Sequence, residues 1–268
     1  NDESIEIERI KDTKNDKLVQ IKLVFTMSAF TKCFRPISNY PSDFADLAVW
    51  LRADSGVTFN IPTKRVSDWG DGSGNSNDVV QATVANQPLR NGYDGQNDKS
   101  YFSFDGINDF MTSSNNSPIT TDFTIFEVSR IDAVSNNVFG WNNGAASISI
   151  GTDASGYMSA TVSDGATSLS TNTATVNTLS NHIGILKKHN KTIYLEYYDS
   201  ANTITTTDND SGFNHSFEFN TATFNVGSLS TSNFLNGQLQ EVIIYDRKLT
   251  DKETAQVVDY LNKKYRIY

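Results

Sequence analysis

From Ala45 to the C-terminus the chain is a series of short β-forming runs cut apart by Gly, Asn, Asp and Ser clusters, with one helical pattern at its end. LAVWLRA, KSYFSFDG, DFTIFEVSRI, ASISIGT, GYMSATVS, HIGILKK, TIYLEYYD, HSFEFN, TFNVGSL and LQEVIIYD all read as strands. A parallel α/β sheet would need helices between such strands, so the pattern predicts an all-β sandwich or barrel. The helical segment is TDKETAQVVDYLNKKY. Thr250 and Glu253 form a capping box, and Val257, Val258, Leu261 and Tyr265 share one face that should dock on the sandwich. No repeat of about 20 to 50 residues is visible, which removes solenoids and propellers.

Composition narrows the partners. With 37% hydrophobic and 20% charged residues over 268 positions, the chain can bury a core and is not disordered. Its 31 acidic and 22 basic side chains leave a net charge of −9, which repels a phosphate backbone and speaks against nucleic acid or anionic membrane as partners. The single cysteine, Cys33, forms no internal disulfide, and with no histidine near it in sequence it reads as inert. The apolar run LVQIKLVFTMSAF is broken by Lys22 and is shorter than the roughly 20 residues of a spanning helix. The chain starts at Asn1, and no signal peptide is read from it.

The first 40 residues differ from the rest. Ile5 and Ile7 alternate with Glu6 and Glu8, KDTKND breaks the pattern, and KLVQIKLVF follows, so a strand, turn and strand are expected. FRPISNYPSDF carries two of the five prolines and reads as a connector, with a domain boundary near residue 40. Ile5, Ile7, Leu18, Ile21, Leu23 and Phe25 offer apolar surface and strand edges that need cover. A short hairpin cannot bury itself, so residues 1–40 are expected to serve attachment or assembly, against the sandwich at 45–268 or another subunit of an oligomer.

Five segments occur in order: LAVWLRADSGVT, VSDWGDGSGNSNDVVQATVANQPL, FSFDGINDFM, FTIFEVSR and FLNGQLQEVIIYDRKLTDKETAQVVDYLNKKY. They resemble the laminin-G-like branch of the concanavalin A-like lectin/glucanase superfamily over roughly residues 45–268. The resemblance implies a jelly-roll sandwich of two antiparallel sheets, closed by a short C-terminal helix.

Within the second segment, DGSGNSND is neither an EF-hand nor a phosphate loop. Counting from Asp71, Ser76 and Ala82 stand where an EF-hand needs glycine and a bidentate acid, and no lysine follows for a phosphate loop. A nucleophile elbow around Ser73 fails because Asp71 and Asn75 replace its glycines. Two readings stand. The resemblance implies a structural calcium ion with Asp71 and Asn75 among its ligands, although Gln240 occupies the place of a further acid. Alternatively both residues bond backbone N–H groups as an Asx turn.

No catalytic pattern is found. Glucanases of the superfamily carry acids in E-x-D-x-x-E, since a retaining mechanism needs two carboxyls about 5 Å apart. Glu6-Ile7-Glu8 lacks the third acid and lies outside the sandwich. His182, His189 and His215 are dispersed. Sugar binding would need an aromatic face and polar partners, and Trp141 in FGWNNGAA is the candidate platform, while Trp50 and Trp69 read as core. The Asn/Ser/Thr-rich composition, acidic balance, lack of disulfides and separate N-terminal β segment suit a virus surface protein such as that of a phage, so the expected function is a non-catalytic virion surface or attachment protein that recognises a surface glycan or polysaccharide. The alternative is a secreted bacterial carbohydrate-binding or adhesin module, with a glycoside hydrolase third. Either leading reading implies an extracellular or virion-surface location and calcium as the sole candidate cofactor.

Overall fold

The computed structural model describes residues 40–92, 99–176, 179–201 and 203–268, together with the backbone of two strands before them. The chain divides into two compact units, Asn1–Asn39 and Tyr40–Tyr268. In the first, β1 (Glu6–Lys11) pairs antiparallel with β2 (Leu18–Val24), from Glu6 opposite Val24 to Lys11 opposite Leu18. Ile5, Phe25 and Cys33 lie outside the described residues.

The second unit is a β-sandwich. One sheet holds β17 (Thr203–Asn209), β16 (Thr192–Tyr198), β15 (Asn181–His189), β10 (Phe123–Ile131), β19 (Asn236–Tyr245), β8 (Tyr101–Asp105) and β7 (Leu89–Asn91) in that order. β3 (Leu47–Arg52) also pairs with β19, so the first half of that long strand borders β8 and its second half borders β3. Gln240 is the extra residue at the join, where the register against β10 shifts. The facing sheet runs β14 (Ser168–Val176), β13 (Tyr157–Ser163), β12 (Ser147–Thr152), β11 (Asn137–Asn142), β18 (Phe224–Val226), β9 (Met111–Ser113), β6 (Val79–Val80), β5 (Val66–Trp69) and β4 (Val57–Phe59). The pairings in both sheets are antiparallel.

Alternation along β10 shows how both faces of the first sheet are filled. Phe123, Ile125 and Ile131 enter the core between the sheets, whereas Phe126 and Val128 point to the opposite face. That opposite face is covered by α1 (Asp251–Tyr265), whose Val257, Val258, Leu261 and Tyr265 pack with Trp50, Ile183, Ile185, Ile243 and Tyr245. The helix starts as its sequence predicts: Thr250 Oγ1 accepts from Glu253 N, and Glu253 Oε2 accepts from Thr250 N. The two sheets meet at the β14 and β17 edges, where Ser170 N donates to Asp208 at 2.7 Å and Thr171 bonds Thr206 at 2.9 Å. These bonds occupy edge groups that would otherwise invite another strand.

Two departures from the sequence reading have physical causes. HSFEFN is not a strand. Phe219 is fully buried and Phe217 partly buried against the core, and the one ladder-like bond is Phe219 N to Thr120 O at 2.9 Å. The segment is held by aromatic anchoring instead of strand pairing. Conversely, β14 and β17 are strands without an apolar alternation: their inward positions include Thr173 and Thr206 as well as Leu169 and Ile204, because they close the sandwich at an edge.

A buried carboxylate fixes the helix. Glu241, 0% exposed on β19, accepts from Trp50 Nε1 (2.7 Å) and Tyr260 Oη (3.0 Å) on Oε1, and from Lys264 Nζ (2.8 Å) and Tyr265 Oη (2.7 Å) on Oε2. Burial, with the Glu241 charge added, pushes the Tyr260 and Tyr265 hydroxyls up, so both keep the proton they donate. Removing one partner from such a network strands the rest. Glu241→Ala should lower stability by about 3–5 kcal/mol in denaturant titration; a loss below roughly 1 kcal/mol, the usual worth of an exposed pair, would show the network is incidental.

Candidate functional site

The DGSGNSND loop is folded around Asp71. Its Oδ1 accepts from Trp50 N and Ser73 N, both at 2.8 Å, and its Oδ2 from Ser73 Oγ (2.6 Å) and Asn77 N (3.1 Å). Asn75 turns its amide nitrogen to Leu47 O at 2.7 Å, and Asn77 donates to Ala48 O at 2.9 Å. The loop is thus stitched to β3. A calcium ion requires six to eight oxygen ligands, yet three of the four partners of Asp71 are backbone N–H groups that cannot turn away. Gln240 lies at the β19 bulge, 1% exposed. Among the described residues no group of three or more His, Cys, Asp or Glu could hold a metal ion. Asp71 accepts backbone N–H groups as the Asx-turn alternative expects, whereas Asn75 donates its amide to the Leu47 and Ala48 carbonyls; calcium at this loop stays a proposal for the titration below.

Trp141 is corrected outright. It lies on β11, not in a loop, is 0% exposed, donates from Nε1 to Ala222 O at 3.0 Å, and meets Phe219 edge-on at 5.3 Å. No ring face is left for a sugar. Trp69 is core as expected, and Trp50 is buried under α1 with its indole N–H on Glu241.

Inside the sandwich, Ser129, His182 and Glu127 come together on β10 and β15, a constellation that spacing did not reveal. It is not a nucleophilic triad. Ser129 Oγ (3.2 Å) and Glu127 Oε1 (3.0 Å) face the same ring nitrogen, His182 Nε2, whereas a triad uses the two nitrogens separately. His182 Nδ1 meets Ser180 O at 3.0 Å, so both nitrogens face acceptors and both call for a proton. Burial pulls the imidazolium down, but the charge and hydrogen bond of Glu127 overcome it and hold the His182 pKa above its ordinary value. All three side chains are 0% exposed, and a Cβ at position 184 would strike Glu127 Oε1, so Gly184 makes the room for a structural ion pair.

Among the described residues, one concavity lies on the outer face of the first sheet. Strands β15, β16 and β17 form its floor and the first turns of α1 its wall, enclosing about 290 Å³ lined by Lys187, Glu196, Tyr198, Thr205, Asp251, Thr254 and Ala255. Strand register brings the floor together: Lys187 opposes Tyr194, Glu196 opposes Thr205, and Tyr198 opposes Thr203. Glu196 takes the Lys187 ammonium on Oε1 and the Tyr198 hydroxyl on Oε2 at 2.8 Å. Lys187 also stands 3.8 Å from Asp251. Burial first, then the Glu196 bond, pushes the Tyr198 hydroxyl up and keeps it a donor. Its ring stacks on Tyr268 with centroids 6.0 Å apart. Thr254, 3% exposed, lines the same groove with a hydroxyl that has no hydrogen-bond partner. An unpartnered buried hydroxyl costs free energy, and this one belongs to a residue of the groove lining. A second concavity of about 220 Å³ between β13 and β14 offers Asp153, Thr161 and Asn172, but its lining has no aromatic ring and no buried orphan group.

No protein-family model matches the chain, and no curated protein matches it. Solved structures do. Domain 4 of AbnA, an extracellular arabinanase of Geobacillus stearothermophilus, in complex with arabinotriose, aligns with a TM-score of 0.57 at 14% identity, over 80% of this chain and 97% of that one. The binding domain of Paraclostridial Mosquitocidal Protein 1 aligns at 0.56 and 16% identity over 83% of this chain, which spans 54% of that one. Trypanosoma rangeli sialidase, in complex with sialic acid, aligns at 0.54 and 13% identity over 82% of this chain and 33% of that one. At such identities the likeness is one of fold: an all-β jelly-roll sandwich.

The Asp71 loop carries a direct test. Asp71→Ala leaves four donors without their acceptor and should cost about 1–3 kcal/mol. If the loop is an Asx turn alone, the metal-stripped parent should melt at the same temperature with and without millimolar calcium; a melting point that climbs with calcium concentration would support the cation site.

Proposed function

We propose that this protein is a non-catalytic glycan-binding module that works in surface attachment, with the groove beside α1 as its sugar site. The observation that carries the reading is the composition of that groove. An aromatic wall, Tyr198 on Tyr268, stands beside a donor–acceptor pair, Lys187 and Glu196, and a partnerless buried hydroxyl, Thr254. Saccharide sites combine an apolar ring face with a few fixed polar groups. The volume, near the lower end of the roughly 300–1,000 Å³ of small-molecule sites, suits a short saccharide. The arabinotriose complex of the AbnA domain and the binding-domain role of the mosquitocidal fragment support the same direction.

The acids of the groove support a reading of binding without cleavage. Glycoside hydrolysis needs one carboxyl free to give a proton and another free to attack or activate water. Both oxygens of Glu196 are engaged, and the Asp251 side chain is 96% exposed at the rim. A virion spike or fibre, with residues 1–40 joining other subunits, is the context we favour, at a virion or extracellular surface. A secreted bacterial adhesin or carbohydrate-binding module is the alternative.

Ala255→Trp should fill the groove and reduce binding in a glycan array at least tenfold while the fold stays intact by circular dichroism. The parent should release no reducing ends from the polysaccharides it binds. Retained binding in the variant would move the site elsewhere, and released reducing ends would make the protein an enzyme. Light scattering tests the assembly role: the full chain should be a defined oligomer, and a monodisperse monomer would remove it for the isolated protein.

A further inference from the structure

We infer that the groove selects neutral saccharides and excludes those bearing a carboxylate, an inference that rests on the glycan reading above. Its one lining cation is Lys187, whose side chain is 4% exposed, paired with Glu196 and 3.8 Å from Asp251. One ammonium therefore faces two carboxylates before any ligand arrives. A uronic or sialic acid carboxylate would add a third negative charge beside Glu196, whose side chain is 10% exposed, and Asp251 at the rim. It could recruit no spare cation from the lining.

Of the cations on the neighbouring elements, Lys252 in the first turn of α1 is exposed and lies outside the lining, and the others are engaged. A helix N-terminus attracts anions, but that of α1 is already answered: Glu253 accepts from Thr250 N at 2.9 Å, and Asp251 sits in the first turn. Arg247 is committed to Glu253 at 2.9 Å. Lys248, on the approach from β16, lies over the Tyr194 ring at 4.9 Å.

A sugar hydroxyl suits the same groups because it both donates and accepts. Two adjacent hydroxyls could accept from the remaining Lys187 protons and donate to the second lone pairs of the Glu196 oxygens, each of which already accepts once, from Lys187 or Tyr198. A carboxylate can only accept, so it would leave Glu196 facing a like charge. The pair of Lys187 and Glu196 thus reads diols, and Asp251 at the rim turns acids away.

The test is titration calorimetry of the full chain with matched saccharides, each a neutral oligosaccharide and the same compound carrying one acidic residue, such as lactose with sialyllactose and xylotriose with its glucuronylated form. The neutral member should bind at least tenfold tighter in every pair that binds. Asp251→Asn should narrow that gap several-fold, as should raising the salt concentration. Acidic members binding as tightly as neutral ones, with Ala255→Trp abolishing both, would overturn the charge selection and leave the glycan site standing. Binding of neither class, or binding of either that ignores Ala255→Trp, would overturn the groove as a glycan site and this inference with it.

Discussion

Glu241 is the interaction on which the groove depends. Its carboxylate sits on the outer face of a central strand, where a bare charge would be costly, and four N–H and O–H groups from β3 and α1 make it tolerable. Three of the four come from the last turns of the helix. The apolar stripe of Val257, Val258 and Leu261 supplies the attraction between helix and sheet, but attraction of that kind is non-directional. The carboxylate sets the angle and register at the C-terminal end, and the capping box sets where the helix begins. Between those two fixed points the first turns stand over β15 to β17, which places Thr254 and Ala255 opposite Lys187 and Glu196.

The sandwich supports this by giving each strand two distinct jobs. On β15, His182 and Leu186 face inward, whereas Ile183, Ile185 and Lys187 face the helix side. Inside, the polar pair of His182 and Glu127 is fully buried, with Gly184 making room for the Glu127 carboxylate. Outside, the same strand contributes the groove's cation. Chemistry at the surface is therefore separated from the buried titratable groups by one residue of strand alternation.

Much of this was legible in the residues, for reasons that differ by element. The cap of α1 and its buried stripe are local patterns, and both are seen as predicted. Strands such as β10 and β19 are long and rich in β-branched and aromatic residues, so they declare themselves. Trp141 misled because Gly140 and the Asn-Asn-Gly that follows resemble a loop; the informative signal was Phe139 and Trp141 two apart, both turned inward on one strand. The groove left no motif, since its residues come from β15, β16, β17 and α1 and meet only through strand register and helix docking. The hint available was Glu196 and Tyr198 on one face of TIYLEYY, next to a helix whose Thr254 falls within its buried face.

We propose that docking of α1 creates a saccharide site, and a crystal structure of the chain grown with a neutral oligosaccharide that it binds is the direct test. A sugar ring should be seated between Tyr198 and α1, with hydroxyls within hydrogen-bond distance of Lys187 and Glu196. A sugar seated on the β13–β14 face, or anywhere away from α1, would contradict it.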